Sequence, residues 1–194
     1  MFSMLTSSAA RGRTGKRQDL ALALGDIVLI EGLDAFALRT AAAHLGTSDR
    51  MLIYYFGTKA ELVEETLTLL SGRLADSLAD IERGVQLSPP ALLARGLELI
   101  AAPSVRPFMA LWAEVVARSG RDETPYPRIA RAISDAWIAW ILERTVFPET
   151  VAPQDGALGL LALINGLAQI EATRQGDADP SRILAAVAAG LQPS

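Results

Sequence analysis

Residues 39–62, RTAAAHLGTSDRMLIYYFGTKAEL, contain the pattern that decides the fold. An alanine-rich helix ends at Gly46, and Ser48 is a suitable N-cap for a second short helix. Thr58 and Glu61 have the T-x-x-E spacing of a capping box, which predicts the start of a third helix. Two short helices joined by a glycine turn form the layout that can place one helix in the major groove of DNA.

The rest of the sequence also favours helix, because Leu and Ala dominate it and alternating β-branched residues are absent. We predict an all-α fold of about nine helices. The predicted helices cover about residues 16–31, 38–45, 49–55, 58–83, 89–102, 104–119, 125–146, 154–175 and 180–191. Residues 1–15 lack an apolar period and are interpreted as a flexible arm.

Charge is distributed unevenly along the 194 residues, whose net charge is −4. Residues 1–62 carry seven Lys/Arg and six Asp/Glu, a balance of +1, so the remaining eleven and sixteen leave residues 63–194 at −5. Four basic residues lie close together in the first part: Arg11, Arg13, Lys16 and Arg17. The positive balance of residues 1–62 is expected of a module that lies near phosphates. A solvated basic tail is the alternative interpretation of this charge.

The second short helix has an outer face suited to reading DNA. We expect Leu45, Leu52 and Phe56 to anchor the helix pair, which leaves an outer set at Asp49, Arg50, Met51, Ile53 and Tyr54. Arginine reads guanine, and an apolar side chain can contact a thymine methyl group. Tyrosine hydroxyls and Lys59 can bind phosphate oxygens, and Lys59 lies in a first helical turn that itself favours an anion.

Residues 39–62 resemble the N-terminal DNA-binding domain of the TetR/AcrR family of transcriptional repressors. The matching positions are Ala42, Gly46, Thr47, Ser48, Leu52, Tyr55, Phe56, Thr58, Lys59, Glu61 and Leu62. The resemblance implies a ligand-responsive repressor that binds a palindromic operator in double-stranded DNA as a homodimer. The DNA-binding residues that it implies are Arg39, Ser48, Arg50, Met51, Ile53, Tyr54, Tyr55 and Lys59.

Three positions depart from the family pattern. Ala37 stands where the family usually has Ser or Thr, and Ile53 stands where it usually has Tyr. Asp49 suits the helix dipole but would repel a nearby phosphate. We therefore expect modest affinity for DNA.

The resemblance also implies a division into a flexible basic arm (1–15), a helix-turn-helix DNA-binding domain (16–63) and an effector-binding and dimerisation domain (64–194). The small-molecule effector is predicted to be apolar or aromatic, and ordinary core packing is the alternative role for the residues that would line its cavity. These candidates are Phe108, Met109, Trp112, Glu114, Trp137, Trp140, Asn165 and Gln169. Small residues in the eighth and ninth predicted helices favour a homodimer formed through those two helices.

Other classes of protein find less support in the sequence. There is no cysteine and one histidine, His44, so we expect no metal site and no cofactor. No P-loop or nucleophile elbow is present, and an enzyme is the least favoured interpretation. A helical interaction module without DNA binding is the second alternative. No uninterrupted apolar run reaches about 18 residues, so we expect no membrane partner and a cytoplasmic location.

Overall fold

The computed structural model describes residues 2–79, 86–174 and Arg182, and the regular structure in these ranges is helical. The elements are α1 (Phe2–Glu31), the 3₁₀ helix η1 (Leu33–Phe36), α2 (Leu38–His44), α3 (Asp49–Phe56), α4 (Lys59–Ala79), α5 (Pro89–Ala101), α6 (Arg106–Gly120), α7 (Tyr126–Arg144) and α8 (Pro153–Arg174). An isolated bridge joins Leu87 to Thr145. The all-α prediction is confirmed, and the predicted ninth helix lies outside the described residues.

The first helix begins much earlier than the sequence predicted. Helix α1 starts at Phe2, so residues 2–15 are helical where we expected a flexible arm. The expectation relied on a missing apolar period, but such a period reports the burial of one face and not helix formation itself. The segment contains no proline, and its two glycines, Gly12 and Gly15, lower helix propensity without ending a helix.

Packing divides the chain into two compact units, Met1–Asp80 with Ala110–Ile133 and Ile81–Met109 with Ser134–Ser194. Helices α6 and α7 each contribute residues to both units. The first unit extends past residue 63, the predicted boundary of the DNA-binding domain, because α4 packs along α1. These units follow packing alone, so the functional division at residue 63 stays a prediction.

The core of the first unit forms where α1 crosses α4. A Cβ atom added at Gly25 would lie 3.0 Å from Cδ2 of Leu70, so the two helices approach closely there. Leu20, Leu24 and Val28 are buried, whereas Ile27 is half-buried. Other buried side chains in this core are Phe36, Leu52, Phe56, Leu62, Val63, Thr66 and Leu67.

The second unit is built on a pair of helices, α5 and α8. Gly96 allows this approach, because a Cβ atom there would lie 3.1 Å from Cδ1 of Ile164. The buried residues of this core are Leu92, Leu93, Leu97, Ile100, Ile141, Ala157, Leu160, Leu167 and Ala168. The small residues of α8 therefore serve close packing within this unit at Ala157 and Ala168.

Helix α8 contains a long apolar stretch. This stretch, Pro153–Thr173, is long and apolar enough to cross a membrane by length and composition, and 22% of it is buried. It is not an uninterrupted apolar run in the sequence, because Asp155, Asn165 and Glu171 lie within it. A single helix of this kind is weak evidence for a membrane span, since the core helix of a soluble protein passes the same test.

We predict that Gly32→Ala destabilises the protein by about 1–2 kcal/mol, because Gly32 has φ = 77°, a left-handed conformation that costs L-residues free energy. An added Cβ atom would also lie 2.6 Å from Oε1 of Glu114. Urea unfolding followed by circular dichroism measures the change.

The matched control is Gly72→Ala in α4, where an added Cβ atom meets nothing within 4 Å. There the better helix propensity of alanine should stabilise the protein by up to about 1 kcal/mol. Equal effects of the two substitutions would contradict the role assigned to Gly32.

Candidate nucleic-acid interface

The turn between α2 and α3 is a Schellman motif. The Thr47 amide donates to the Ala42 carbonyl at 2.9 Å, and the Gly46 amide donates to the Ala43 carbonyl at 3.3 Å. Gly46 has φ = 60°, which a glycine adopts without steric cost. These bonds satisfy carbonyls at the end of α2 and fix the direction in which the chain enters α3, so the predicted glycine turn is confirmed.

Side-chain caps define where α3 and α4 begin. Ser48 Oγ accepts a hydrogen bond from the Met51 amide at 3.3 Å, as predicted for the N-cap of α3. At the start of α4, Thr58 Oγ1 accepts from the Glu61 amide at 3.1 Å. The Thr58 hydroxyl also donates to Oε2 of Glu61 at 2.9 Å. In the usual capping box the glutamate accepts from a backbone amide, so the pair is present here in a variant form.

Helix α3 has one buried side and one exposed side. Leu52 and Phe56, one helical turn apart, are 0% and 2% exposed, whereas Tyr54 is 61% exposed. Met51 and Ile53 are each 38% exposed, and Tyr55 is half-buried with its ring edge-on to Tyr54 at 5.2 Å. The predicted site residues that are exposed are Arg39, Ser48, Arg50, Met51, Ile53, Tyr54 and Lys59.

The basic side chains of this surface differ from other basic residues of the first unit in their ion pairing. Arg39, Arg50 and Lys59 form no ion pair within the described part of the chain. Arg73 instead pairs with Asp26 at 2.6 Å, and arginines of α6 and α7 pair likewise with acidic partners. Unpaired cations beside an exposed helix face are available to anionic groups such as phosphates.

Arg17 belongs to the paired group. Its guanidinium binds the Glu65 carboxylate of α4 and lies 5.3 Å from the centre of the Phe56 ring, at the end of α3. The sequence grouped Arg17 with Arg11, Arg13 and Lys16 as basic residues expected near phosphates, whereas in the structure it connects α1, α3 and α4. No spacing in the sequence indicates this contact, because its partners are 39 and 48 positions away.

The candidate effector residues fall in both compact units. Phe108, Met109, Trp137, Trp140, Asn165 and Gln169 belong to the second unit, whereas Trp112 and Glu114 belong to the first. Glu114 and Gln169 are exposed, and the other six are half-buried. Met109 and Trp140 pack against the apolar core of the second unit. Whether these eight residues bind a small molecule stays a prediction.

Two of these candidates, Trp137 and Trp140, form an aromatic cluster with Arg144. Trp137 and Trp140 meet edge to face at 5.6 Å, and the Arg144 guanidinium lies 4.3 Å from the centre of the Trp140 ring. The buried indole Nε1 of Trp140 has no hydrogen-bond partner within the described residues. A buried indole N–H normally has an acceptor. Asn165 instead donates to the Leu161 carbonyl of its own helix at 3.0 Å.

Metal-binding side chains do not gather in the described ranges, where no group of three or more His, Cys, Asp or Glu could hold an ion. His44 lies at the end of α2, and its Nε2 is 3.0 Å from Oε2 of Glu31. This contact accounts for the histidine as a surface residue that joins the ends of α1 and α2.

The geometry defines a helix-turn-helix unit within an all-helical protein. The chain is similar to the crystal structure of a putative TetR-family transcriptional regulator from Rhodococcus sp., with a TM-score of 0.71 and 19% identity. That match covers 92% of this chain and 100% of the other. This chain therefore has a TetR-like fold, and the resemblance first seen in residues 39–62 extends to the fold of nearly the whole chain. No protein-family model and no curated protein matches it.

We predict that Arg17→Met lowers the free energy of unfolding by about 0.5–1 kcal/mol, because it removes a partly exposed ion pair and a cation–π contact. Thermal unfolding at low salt measures the effect. The matched control is Arg39→Met, which removes an exposed, unpaired charge and should leave stability unchanged. An Arg17 variant as stable as the Arg39 variant would show that the contact contributes nothing to the three-helix junction.

Proposed function

We propose that the protein is a DNA-binding transcriptional regulator that contacts DNA through the exposed face of α3 in its helix-turn-helix. The observation that carries the proposal is the set of unpaired cations Arg39, Arg50 and Lys59 around that face. An enzyme is the least favoured alternative, because the sequence contains no P-loop or nucleophile elbow.

The exposed residues divide into base-reading and backbone-holding groups. Arg39, Arg50 and Met51 would contact base edges, and Ile53 would meet a sugar or a thymine methyl group. The backbone phosphates would be held by Ser48, Tyr54, Tyr55 and Lys59. Asp49 adds a negative charge beside Arg50, which supports modest rather than tight affinity.

A homodimer would present two copies of α3 to a palindromic operator in successive major grooves, about 34–36 Å apart. Helix α8 supports this proposal because it leaves large apolar side chains exposed, with Leu158, Leu163 and Ile170 at 55%, 42% and 42%. We propose that α8 and the predicted ninth helix pair with their copies and cover these residues.

Control by a small molecule is the third part of the proposal. Trp137 and Trp140 offer aromatic surface, and the unpartnered Nε1 of Trp140 would donate to an acceptor on the effector. The proposed effector is thus an aromatic or apolar compound with a hydrogen-bond acceptor. It would control DNA binding by binding two conformations of the protein with different affinity. The regulator would act in the cytoplasm as a repressor.

DNA binding is tested with a random-sequence duplex library, from which the wild-type protein should select a palindromic site. On that site Arg50→Ala should cost about 1–3 kcal/mol and relax preference at one base position. Lys59→Ala should instead weaken all sequences alike and reduce the salt slope by about one. Fluorescence anisotropy at several salt concentrations separates the two effects. Selection of no sequence by the wild-type protein at low salt would refute the regulator and favour a helical interaction module.

Dimerisation is tested by sedimentation velocity at micromolar concentration, where the wild-type protein should sediment as a dimer. Leu163→Asp should shift it to monomer, because the substitution would bury a charge in the proposed interface. Val146→Asp is the matched control, since Val146 is also exposed but lies outside α8. A monomeric wild-type protein, or equal effects of both substitutions, would contradict an interface through α8.

A further inference from the structure

Helix α6 contacts the element that leads into the helix-turn-helix at two adjacent points. Oε2 of Glu114 accepts a hydrogen bond from the backbone amide of Leu33 at 2.9 Å. One turn later, Arg118 donates to Oδ1 of Asp34 at 2.8 Å. Because Glu114 and Arg118 are four positions apart on α6, and Leu33 and Asp34 are consecutive in η1, both bonds tie the same face of α6 to the same turn.

The Glu114 contact is closely fitted. An ideal Cβ atom at Gly32 would lie 2.6 Å from Oε1 and 3.0 Å from Oε2 of Glu114, so the carboxylate occupies the space that any other residue at position 32 would fill. The Leu33 amide stands at the start of η1, where the helix itself supplies no acceptor. A carboxylate is the stronger kind of acceptor for such an amide.

Arg118 is held in turn by its own surroundings. Its guanidinium lies 5.5 Å from the centre of the Tyr126 ring and 3.6 Å from the Glu123 carboxylate. Burial raises the pKa of Tyr126, which keeps its phenol neutral at physiological pH. The arginine is therefore restrained on the protein side, whereas Asp34 is 93% exposed.

The start of α2 lacks a side-chain cap. A single residue, Ala37, separates η1 from α2, and as the N-cap of α2 it offers no side-chain hydrogen bond. The start of α2 therefore follows the position of η1, whose Leu33, Ala35 and Phe36 are buried. Helix η1 packs against α1 and α2, and its Leu33 amide is held by Glu114.

We propose that Glu114 is a positioning residue for DNA recognition, which fixes η1 and α2 by accepting the Leu33 amide and so sets the orientation of α3. This inference rests on the proposed function.

The test compares Glu114→Ala and Glu114→Gln with Glu149→Ala, which removes the same charge from an exposed loop residue. Fluorescence anisotropy measures affinity for the selected operator and for a scrambled duplex of equal length. Glu114→Ala should weaken operator binding on the order of tenfold and leave scrambled binding and the salt slope unchanged. Glu114→Gln should recover much of the loss, because an amide oxygen still accepts the Leu33 bond. Glu149→Ala should match the wild-type protein.

Amide hydrogen exchange provides a readout that does not require an operator. Peptides that cover residues 33–45 should exchange faster in Glu114→Ala than in Glu149→Ala, whereas peptides from α8 should not change. Faster exchange throughout the chain would mean general destabilisation and overturn the proposal, as would unchanged exchange at residues 33–45 or operator affinity equal to the control. If the wild-type protein selects no DNA, the proposed function fails, and exchange at residues 33–45 alone decides whether Glu114 positions α2.

Discussion

The burial of Leu52 and Phe56 is the constraint on which the exposed surface of α3 depends. The two side chains are one turn apart on α3 and are almost fully enclosed by the core that α1 and α4 form. Because an α-helix repeats every 3.6 residues, burying this pair turns Arg50, Met51 and Tyr54 to the outside. The apolar core thus sets the rotation of α3 about its axis. The side-chain caps at Ser48 and Thr58 then define where α3 and α4 begin.

The basic side chains around this core form two groups: one pairs with acidic residues, and the other lies exposed and unpaired. Arg17 and Arg118 are paired with acidic residues and join helices to one another. Arg39 and Lys59, on the exposed surface, have no such partner within the described ranges. A net negative chain can therefore still present a locally positive surface, because some of its acidic residues pair with Arg17 and Arg118 and none pairs with Arg39 or Lys59 within the described ranges.

The local parts of this arrangement could be predicted from the sequence, and the long-range parts could not. Turns and caps depend on residues three to five positions apart, so Gly46, Ser48 and the Thr58–Glu61 pair were identified from spacing. The contact between Glu114 and the Leu33 amide joins residues 81 positions apart and leaves no pattern, so Glu114 was interpreted as part of an effector cavity. The extent of α1 was wrong for another reason: a helix without an apolar stripe gives no periodic signal.

The close approach of Glu114 to Gly32 has a consequence for the evolution of this protein. Any side chain at position 32 would occupy the volume of the Glu114 carboxylate, and the backbone there already has a left-handed conformation. The cost of a side chain at position 32 therefore depends on the residue at position 114. We expect these two positions, far apart in the chain, to be epistatic.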